Sequence, residues 1–122
     1  MASKIAIIED DQAIAQMYRI KFEAEGFTVQ TASDGKLGLA LVKNMQPDII
    51  LLDLMMPEMN GEEMLQQLRK TDWGKDIKVI ILTNTGEQEA PESIKNLNVS
   101  AFILKADMTP RQVAELVKSK LS

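Results

Sequence analysis

Short apolar runs that recur along the chain restrict its fold more than any other feature of the sequence. Four such runs contain β-branched side chains and no polar alternation: Ile5–Ile8, Ile49–Leu52, Val79–Leu82 and Ala101–Leu104. A strand of this kind is apolar on both faces, as in a parallel sheet that helices cover on each side. A fifth segment, Thr28–Thr31, alternates polar and apolar residues and is therefore predicted to be an edge strand.

Segments of helical length separate these runs. The predicted helices are Gln12–Glu25, Leu37–Met45, Gly61–Lys70, a short helix from about Pro91 to Leu97, and a last helix that begins at Pro110. The last helix has the clearest start. Thr109 is predicted as its N-cap and Gln112 completes a capping box, while Pro110 suits the first helical position.

The order βαβαβαβαβα predicts a doubly wound α/β fold. Right-handed crossovers place helices on both faces of the sheet. Five parallel strands of this kind favour the order 2-1-3-4-5, which is the flavodoxin-like (βα)5 architecture. With 122 residues, the chain is expected to form one domain over residues 1–122.

The composition excludes several classes of site. The chain has no Cys and no His, so disulfides, Cys or His metal ligation, and Ser/His or Cys/His catalysis are all excluded. Its 14 basic and 18 acidic residues give a formal net charge of −4, and we expect no direct contact with nucleic acid. The N-terminal apolar run is too short for a signal peptide or a membrane helix. We therefore expect a cytoplasmic protein without membrane contact.

Polar residues stand where the predicted strands end. They are Glu9, Asp10 and Asp11 after the first strand, Asp53 after the third, Thr83 after the fourth and Lys105 after the fifth. In a doubly wound sheet, ligands bind beyond the carboxyl ends of the strands, at the switch point between strands 1 and 3. These side chains are therefore predicted to meet at one edge of the sheet.

Three carboxylates at one edge repel one another and oppose folding, and a divalent cation would relieve that repulsion. Oxygen ligands of this type favour Mg²⁺, with Mn²⁺ as a second possibility, over Zn²⁺. Beside a metal and an ammonium, the Asp53 carboxylate can act as a nucleophile toward phosphorus. Lys105 and Thr83 are the predicted donors to the transferred phosphoryl oxygens.

Each of these residues also has a simpler structural interpretation. Asp10 and Asp11 are equally suited to cap the first helix, Asp53 to begin a turn, and Lys105 to be a solvated surface charge. Their common position at one predicted edge favours the functional interpretation over four independent structural ones.

Four motifs carry a resemblance to a known family: Ile-Ile-Glu-Asp-Asp (7–11), Leu-Leu-Asp-Leu-Met-Met-Pro-Glu-Met-Asn-Gly (51–61), Leu-Thr (82–83) and Phe-Ile-Leu-Lys (102–105). The second motif is highly specific, and each of the others is weak alone. With them, essentially the whole chain resembles the receiver domain of a response regulator, the phosphoprotein of two-component signalling. Both a stand-alone regulator and the receiver part of a longer protein fit the pattern.

The resemblance implies a role for each matching residue. By this resemblance, Asp53 is the phosphoacceptor, and Mg²⁺ is bound by Glu9, Asp10, Asp53 and the backbone carbonyl of Met55. The phosphoryl group is bound by Thr83 and Lys105, and the switch is formed by Thr83 and Phe102. The implied partners are a histidine kinase or histidine phosphotransfer protein and a downstream protein effector at the face of helix 4, strand 5 and helix 5. The implied protein is not an enzyme, apart from Mg²⁺-assisted self-phosphorylation and dephosphorylation.

Two residues depart from the family's pattern. Asn84 stands where a small residue is usual, beside the phosphoryl entrance. Ala106 stands where the family has a cis proline. We predict a trans peptide there because a cis bond before Ala costs about 3 kcal/mol, and we expect the altered loop to displace the Lys105 ammonium.

Met55 and Thr85 hold the two positions that, in the family, tune the loss of the phosphoryl group. Neither side chain orients a water molecule well, so the aspartyl phosphate is expected to be long-lived.

Three other functions compete with a phosphoacceptor. A phosphohydrolase needs a second Asp two residues after the nucleophile, where this chain has Met55. A flavodoxin needs a hydroxyl- and Gly-rich phosphate loop after strand 1, where the acids would repel the phosphate of FMN. The serious alternative is a degenerate receiver that binds proteins without phosphorylation, and Asn84 and Ala106 are the residues that favour it.

Overall fold

The computed structural model describes residues 3–84 and 92–121, in which five parallel strands form one sheet. The strands are β1 (Lys4–Ile8), β2 (Thr28–Ala32), β3 (Ile49–Asp53), β4 (Lys78–Thr83) and β5 (Ala101–Leu104). The helices are α1 (Gln12–Ala24), α2 (Gly35–Met45), α3 (Gly61–Arg69), α4 (Glu92–Lys95) and α5 (Pro110–Leu121). The sheet order is β2-β1-β3-β4-β5, which confirms the predicted topology and the edge position of β2.

The predicted boundaries are off by one or two residues. Strands β3 and β4 include Asp53 and Thr83 as their last residues, so these two side chains are held by strand pairing and not by a following loop. Helix α2 begins two residues earlier than predicted, at Gly35, because the Asp34 side chain caps it by accepting a hydrogen bond from the Leu37 N–H at 2.8 Å. Pro91, the predicted start of α4, lies outside the described residues.

The sheet separates two apolar cores. On one face, Tyr18 and Phe22 of α1 pack with Val113 and Val117 of α5 against the odd-numbered side chains of β1 and β3. On the other face, α2, α3 and α4 cover side chains such as Ile8, Leu52 and Ile81. Burial of each large aliphatic side chain contributes about 1.5–3 kcal/mol. The central strands are therefore the most strongly stabilised part of the fold.

Helix α1 buries one stripe of side chains and exposes the rest. Met17 is 41% exposed, whereas Ala15 lies inside. The buried stripe of Ala15, Tyr18 and Phe22 has spacings of three and four, and Met17 lies about 100° around the helix from Tyr18.

Two glycines, Gly35 and Gly61, pack closely against the backbone of β3 and of the loop that follows it. The Gly35 N–H donates to the carbonyl of Met59 at 2.8 Å, which ties the start of α2 to this loop. A Cβ atom on Gly61 would lie 2.3 Å from the carbonyl oxygen of Asp53. The first residue of α3 is therefore packed directly against the last residue of β3.

None of the helices in residues 3–84 and 92–121 has both the length and the apolarity that crossing a membrane requires.

Candidate phosphoryl and metal site

Three carboxylates meet at the carboxyl edge of the sheet. Glu9 follows β1, Asp10 stands next to it, and Asp53 ends β3, the neighbouring strand. Each offers an oxygen within 4.8 Å of the others. Glu9 and Asp53 are buried, at 1% and 2% exposure, whereas Asp10 is exposed. The sequence therefore located the cluster correctly, with two of its acids inside the protein and one at its mouth.

The Lys105 ammonium completes this cluster from the end of β5. Its Nζ lies 2.9 Å from Glu9 Oε2 and 3.3 Å from Asp53 Oδ1. It also donates a hydrogen bond to Glu9 Oε1 at 3.1 Å. Burial disfavours the ammonium, but Glu9 and Asp53 outweigh this and raise the pKa of Lys105 above its usual value. The site therefore holds one fixed cation against two buried acids.

The main chain holds the two buried carboxylates in place. The Asp11 N–H donates to Glu9 Oε1 at 3.2 Å, and the Met55 N–H donates to Asp53 Oδ1 at 3.2 Å. Asp11 itself caps α1, since its side chain accepts from the N–H groups of Ala13 and Ile14. The capping interpretation is thus correct for Asp11, while Asp10 belongs to the acidic cluster.

Asp53 is a weaker acid than an ordinary aspartic acid. Burial and the nearby Glu9 carboxylate raise its pKa to about 6, against the opposing effects of Lys105 and the Met55 N–H. The Asp53 carboxyl group is therefore largely ionised at neutral pH, although its burial disfavours the charged form. Perturbation of this kind by desolvation and specific charges is typical of functional sites.

The residues present fit a magnesium ion. Glu9 Oε2 is buried and makes no hydrogen bond of regular geometry, and its ion-pair partner among the described residues is the Lys105 ammonium at 2.9 Å, so a carboxylate lone pair remains for a cation inside the cluster. Carboxylate oxygens of this kind, together with an exposed Asp10 that leaves room for water, are what Mg²⁺ prefers. The contact of Met55 that the structure shows is through its N–H, and the role of its carbonyl stays a prediction.

Thr83 and Phe102 lie on the two strands beyond β3. Thr83 is buried at the end of β4, and its carbonyl accepts a hydrogen bond from the Lys105 N–H at 2.9 Å. Phe102 is partly buried and packs against the core under α4. The backbone of Lys105 is therefore hydrogen-bonded directly to the backbone of Thr83, so the two residues predicted to bind the phosphoryl group are linked.

The two residues that depart from the family's pattern stand next to Thr83 and Lys105 in the chain. The Lys105–Ala106 peptide is trans, as predicted. A turn closed by the Asp107 N–H on the Leu104 carbonyl at 2.9 Å follows, and the Lys105 ammonium lies 3.3 Å from Asp53 Oδ1, while its displacement relative to other receivers stays a prediction. Asn84 is exposed beside Thr83, and Thr85 lies outside the described part of the chain.

Sequence reasoning missed two residues, Tyr18 near this edge and Arg69 at the opposite edge of the sheet. Tyr18 of α1 is buried, and this burial raises its pKa. The charge of Lys105 lowers the pKa and that of Glu9 raises it. Arg69, at the end of α3, donates hydrogen bonds to carbonyls of two loops. Neither has a local sequence signal, because each depends on contacts between segments far apart in the chain.

A family model described as the response regulator receiver domain matches residues 5–118. The chain belongs to this family. Receiver domains bind Mg²⁺ in an acidic pocket and interact with histidine kinases and downstream effectors in two-component systems. The acidic cluster of this receiver domain is compatible with Mg²⁺ binding and with phosphorylation of an aspartate.

Curated relatives are longer response regulators. The chain is 44% identical over 84 residues to the DNA-binding dual master transcriptional regulator RpaA of Synechocystis, covering 69% of this chain and 35% of that protein. It is 32% identical over 118 residues to the phosphate regulon regulatory protein PhoB of Rhizobium meliloti, covering 95% of this chain and 51% of that protein. The receiver domain thus spans about half or less of these relatives.

Solved structures have the same fold. A CheY-like response regulator receiver domain protein from Methanospirillum hungatei superposes with a TM-score of 0.89 at 30% identity, covering 99% of this chain and 94% of that one. The chemotaxis response regulator CheY4 of Vibrio cholerae gives a TM-score of 0.90 at 24% identity, covering 98% and 99%. The second likeness shows that the fold persists where most of the sequence differs.

Proposed function

We propose that this receiver domain accepts a phosphoryl group on Asp53 from a histidine kinase or a histidine phosphotransfer protein, in a reaction that requires Mg²⁺. The observation that carries the proposal is the cluster at the sheet edge. Asp53 and Glu9 are buried within reach of Asp10, and the Lys105 ammonium lies 3.3 Å from Asp53 Oδ1. A nucleophilic carboxylate, metal ligands and a cation for the developing charge occupy one place.

The chemistry is a phosphoryl transfer between two side chains. An Asp53 carboxylate oxygen forms a bond to phosphorus, the phosphorus–nitrogen bond of the donor phosphohistidine breaks, and the imidazole nitrogen keeps the electron pair and takes a proton. The Met55 N–H and the Lys105 ammonium both contact Oδ1 and so fix the orientation of the carboxylate. Lys105 and Thr83 then donate to the phosphoryl oxygens.

Four groups would hold the metal: the carboxylates of Glu9, Asp10 and Asp53 and the backbone carbonyl of Met55. When bound, Mg²⁺, or Mn²⁺ in its place, neutralises the repulsion between the acids and the incoming phosphoryl oxygens. The oxygens of Glu9, Asp10 and Asp53 that lie within 4.8 Å of one another support this arrangement.

The switch is proposed to start at Lys105 and Thr83. A phosphoryl group adds nearly two negative charges and three acceptor oxygens at Asp53, and both residues gain a partner there. Lys105 N–H is bonded to the Thr83 carbonyl, so the ends of β4 and β5 respond together. Phe102, which is partly buried beside α4, then turns inward, and the face of α4, β5 and α5 changes for a protein effector.

Asn84, Met55, Thr85 and Ala106 are proposed to modulate this reaction without carrying it. Asn84 is exposed beside the entrance, and Met55 is 73% exposed next to the acceptor. Side chains at such positions affect access of water and donor, whereas the hold of Met55 on the carboxylate is through its main chain.

The proposal includes a cytoplasmic location and no enzymatic activity beyond self-phosphorylation and dephosphorylation. The absence of direct contact with nucleic acid stays a prediction for this chain, since a relative is named as DNA-binding. An acidic domain with a net charge of −4 supports it.

Incubation with acetyl phosphate and Mg²⁺, followed by intact mass measurement, tests the proposal. The protein should gain one phosphoryl mass, and Asp53→Ala should gain none. Asp72→Ala, which removes an exposed acid far from the site, should behave like the unchanged protein. Failure of the unchanged protein to gain mass would favour the degenerate receiver, for which the departures at Asn84 and Ala106 are the supporting observation.

A further inference from the structure

The Arg69 side chain joins two loops on the side of the sheet where α4 lies. Its guanidinium donates to five carbonyl oxygens: Leu97 at 2.8 Å, Asn98 at 3.1 Å, Gly74 at 2.9 Å, Lys75 at 3.1 Å and Ile77 at 2.8 Å. Three of these acceptors lie between α3 and β4, and two lie between α4 and β5. One side chain therefore fastens the turn after α4 to the loop before β4.

This arrangement is rigid because of the chemistry of the guanidinium. Its donors form a planar fork with fixed directions, so carbonyls bonded to it cannot move independently. All hydrogen bonds of Arg69 among the described residues go to main-chain oxygens. Partial burial lowers the pKa of Arg69, and the charge of Asp76 opposes this.

The fastened turn follows the C-terminal end of α4 and leads to the start of β5, at the edge of the sheet opposite the phosphoryl site. Helix α4 runs from Glu92 to Lys95, and the Leu97 N–H donates to the Ile94 carbonyl at 3.1 Å. Asn98 has a positive φ of 58°, and the Ser100 N–H donates to the Val79 carbonyl at 2.8 Å just before β5 begins. The turn is thus held by Arg69 and by β4 together.

The other end of α4 is connected by the chain to Thr83 and Asn84, where the proposed switch begins. Ile94, in the single turn of α4, is fully buried in the core that α2, α3 and α4 cover. A displacement passed along the chain from Thr83 would enter α4 at Glu92, whereas the turn at Leu97 is held by Arg69.

We propose that Arg69 is a positioning residue that holds the end of α4 stationary, so that phosphorylation changes the output face by moving the start of α4 about a fixed point at Leu97 and Asn98. This inference rests on the proposed function for the event that drives the motion. The anchoring itself is a property of the unphosphorylated fold.

The first measurement needs no phosphorylation. Amide hydrogen exchange should show the Leu97 and Ser100 N–H groups protected in the unchanged protein and at least ten-fold less protected in Arg69→Met. Arg69→Lys keeps the charge but not the fork and should lie between them. The matched control is Arg19→Met, which removes a partly exposed arginine of α1 and should leave both amides unchanged. Equal protection in Arg69→Met would overturn the anchoring.

The second measurement follows amide chemical shifts when beryllofluoride, an analogue of the phosphoryl group, is added with Mg²⁺. In the unchanged protein, Glu92 to Lys95 should shift at least three-fold more than Leu97 and Asn98. In Arg69→Met the ratio should approach one, while the rate of mass gain from acetyl phosphate stays the same. Equal shifts in the unchanged protein, or an unaltered ratio in the variant, would overturn the fixed point.

The two proposals fail in different ways. If the protein gains no phosphoryl mass, the proposed function fails together with the phosphorylation-driven motion, whereas the exchange measurement still decides the anchoring. If Arg69→Met does not fold, Arg69→Lys and the shift pattern of the unchanged protein decide the inference.

Discussion

The Lys105 ammonium lies closer to Glu9 than to Asp53. Its Nζ is 2.9 Å from Glu9 Oε2 and 3.3 Å from Asp53 Oδ1. Before phosphorylation, this lysine mainly compensates a fully buried carboxylate that has no other cation within ion-pair distance in the described residues. A phosphoryl group on Asp53 must therefore compete with Glu9 for Lys105.

Replacing Lys105 should destabilise the metal-free protein. Lys105→Met leaves Glu9 and Asp53 buried without their cation, and loss of one partner of a buried pair costs about 3–5 kcal/mol. We expect a loss of about 3 kcal/mol in the free energy of unfolding, measured with urea in EDTA at pH 7.5. Lys36→Met, which removes an exposed lysine at the start of α2, is the control. An equal effect of both substitutions would contradict this assignment.

Stability without metal should fall as the pH rises from about 4 to about 7. The pKa of Asp53 is about 6 in the folded protein and 3.8 when unperturbed, so the folded state binds the extra proton between these values. Its contribution is present below pH 4 and is lost as the pH rises through 6, by up to about 3 kcal/mol. Urea unfolding of the unchanged protein and of Asp53→Asn should converge at low pH, with Asp53→Asn the more stable at pH 7.5. Parallel pH profiles would disprove this.

Trp73 should not report metal binding. It is partly buried in the loop between α3 and β4, at the edge of the sheet opposite Asp53. Mg²⁺ should raise the melting temperature because it binds only the folded state, yet the emission of Trp73 should stay constant. Calorimetry and fluorescence in one titration check this, with Asp10→Asn as the variant that loses the thermal effect. A large emission change in the unchanged protein would show that metal binding affects both edges.

The aspartyl phosphate should persist well beyond a few seconds. Met55 is 73% exposed beside Asp53, and its thioether neither activates nor orients a water molecule. Met55→Asn introduces an amide that can do so and should shorten the half-life several-fold, as measured by the decay of the phosphoryl mass after removal of the donor. Met17→Asn, at another exposed methionine on α1, should leave the decay unchanged. Rapid loss from the unchanged protein would contradict the expectation.

Gly61 should tolerate no side chain, for reasons of space alone. A Cβ there would lie 2.3 Å from the Asp53 carbonyl, and crowding of this kind costs about 1–3 kcal/mol. Gly26 has a φ of 94° and open space around its Cβ position, so Gly26→Ala pays a conformational cost instead. Chemical unfolding should show both alanine variants destabilised. Only Gly61→Ala should also slow phosphorylation, because only it displaces β3.

The sheet was predictable because its strands are apolar on both faces and its helices carry local start signals. The capping box of the last helix is an example, with Thr109 and Gln112 bonded reciprocally at 2.8 and 3.2 Å. The earlier start of α2 was missed because an Asp is as common in loops as at helix starts. Only the structure shows that the Asp34 side chain accepts a hydrogen bond from the Leu37 N–H and so caps the helix.

The residues that form the site could be predicted from the sequence, but the distances between their side chains could not. Parallel strands bring their carboxyl ends to one edge, so Glu9, Asp53 and Lys105 had to lie near each other. That Lys105 lies closer to Glu9 than to Asp53 depends on side-chain distances that no sequence pattern encodes. The five carbonyls around Arg69 come from segments that only the fold brings together.

Asp53 ends β3, which is paired on both sides by β1 and β4. The middle of a sheet opens to solvent only when nearly the whole domain unfolds, whereas edges and short helices open far more often. The proposed phosphoacceptor therefore lies in the part of the sheet that opens least often, whereas the proposed output face includes an edge strand, β5, and a one-turn helix, α4, which open more often. Local opening of the output face can then weaken partner binding while a phosphoryl group on Asp53 stays in place.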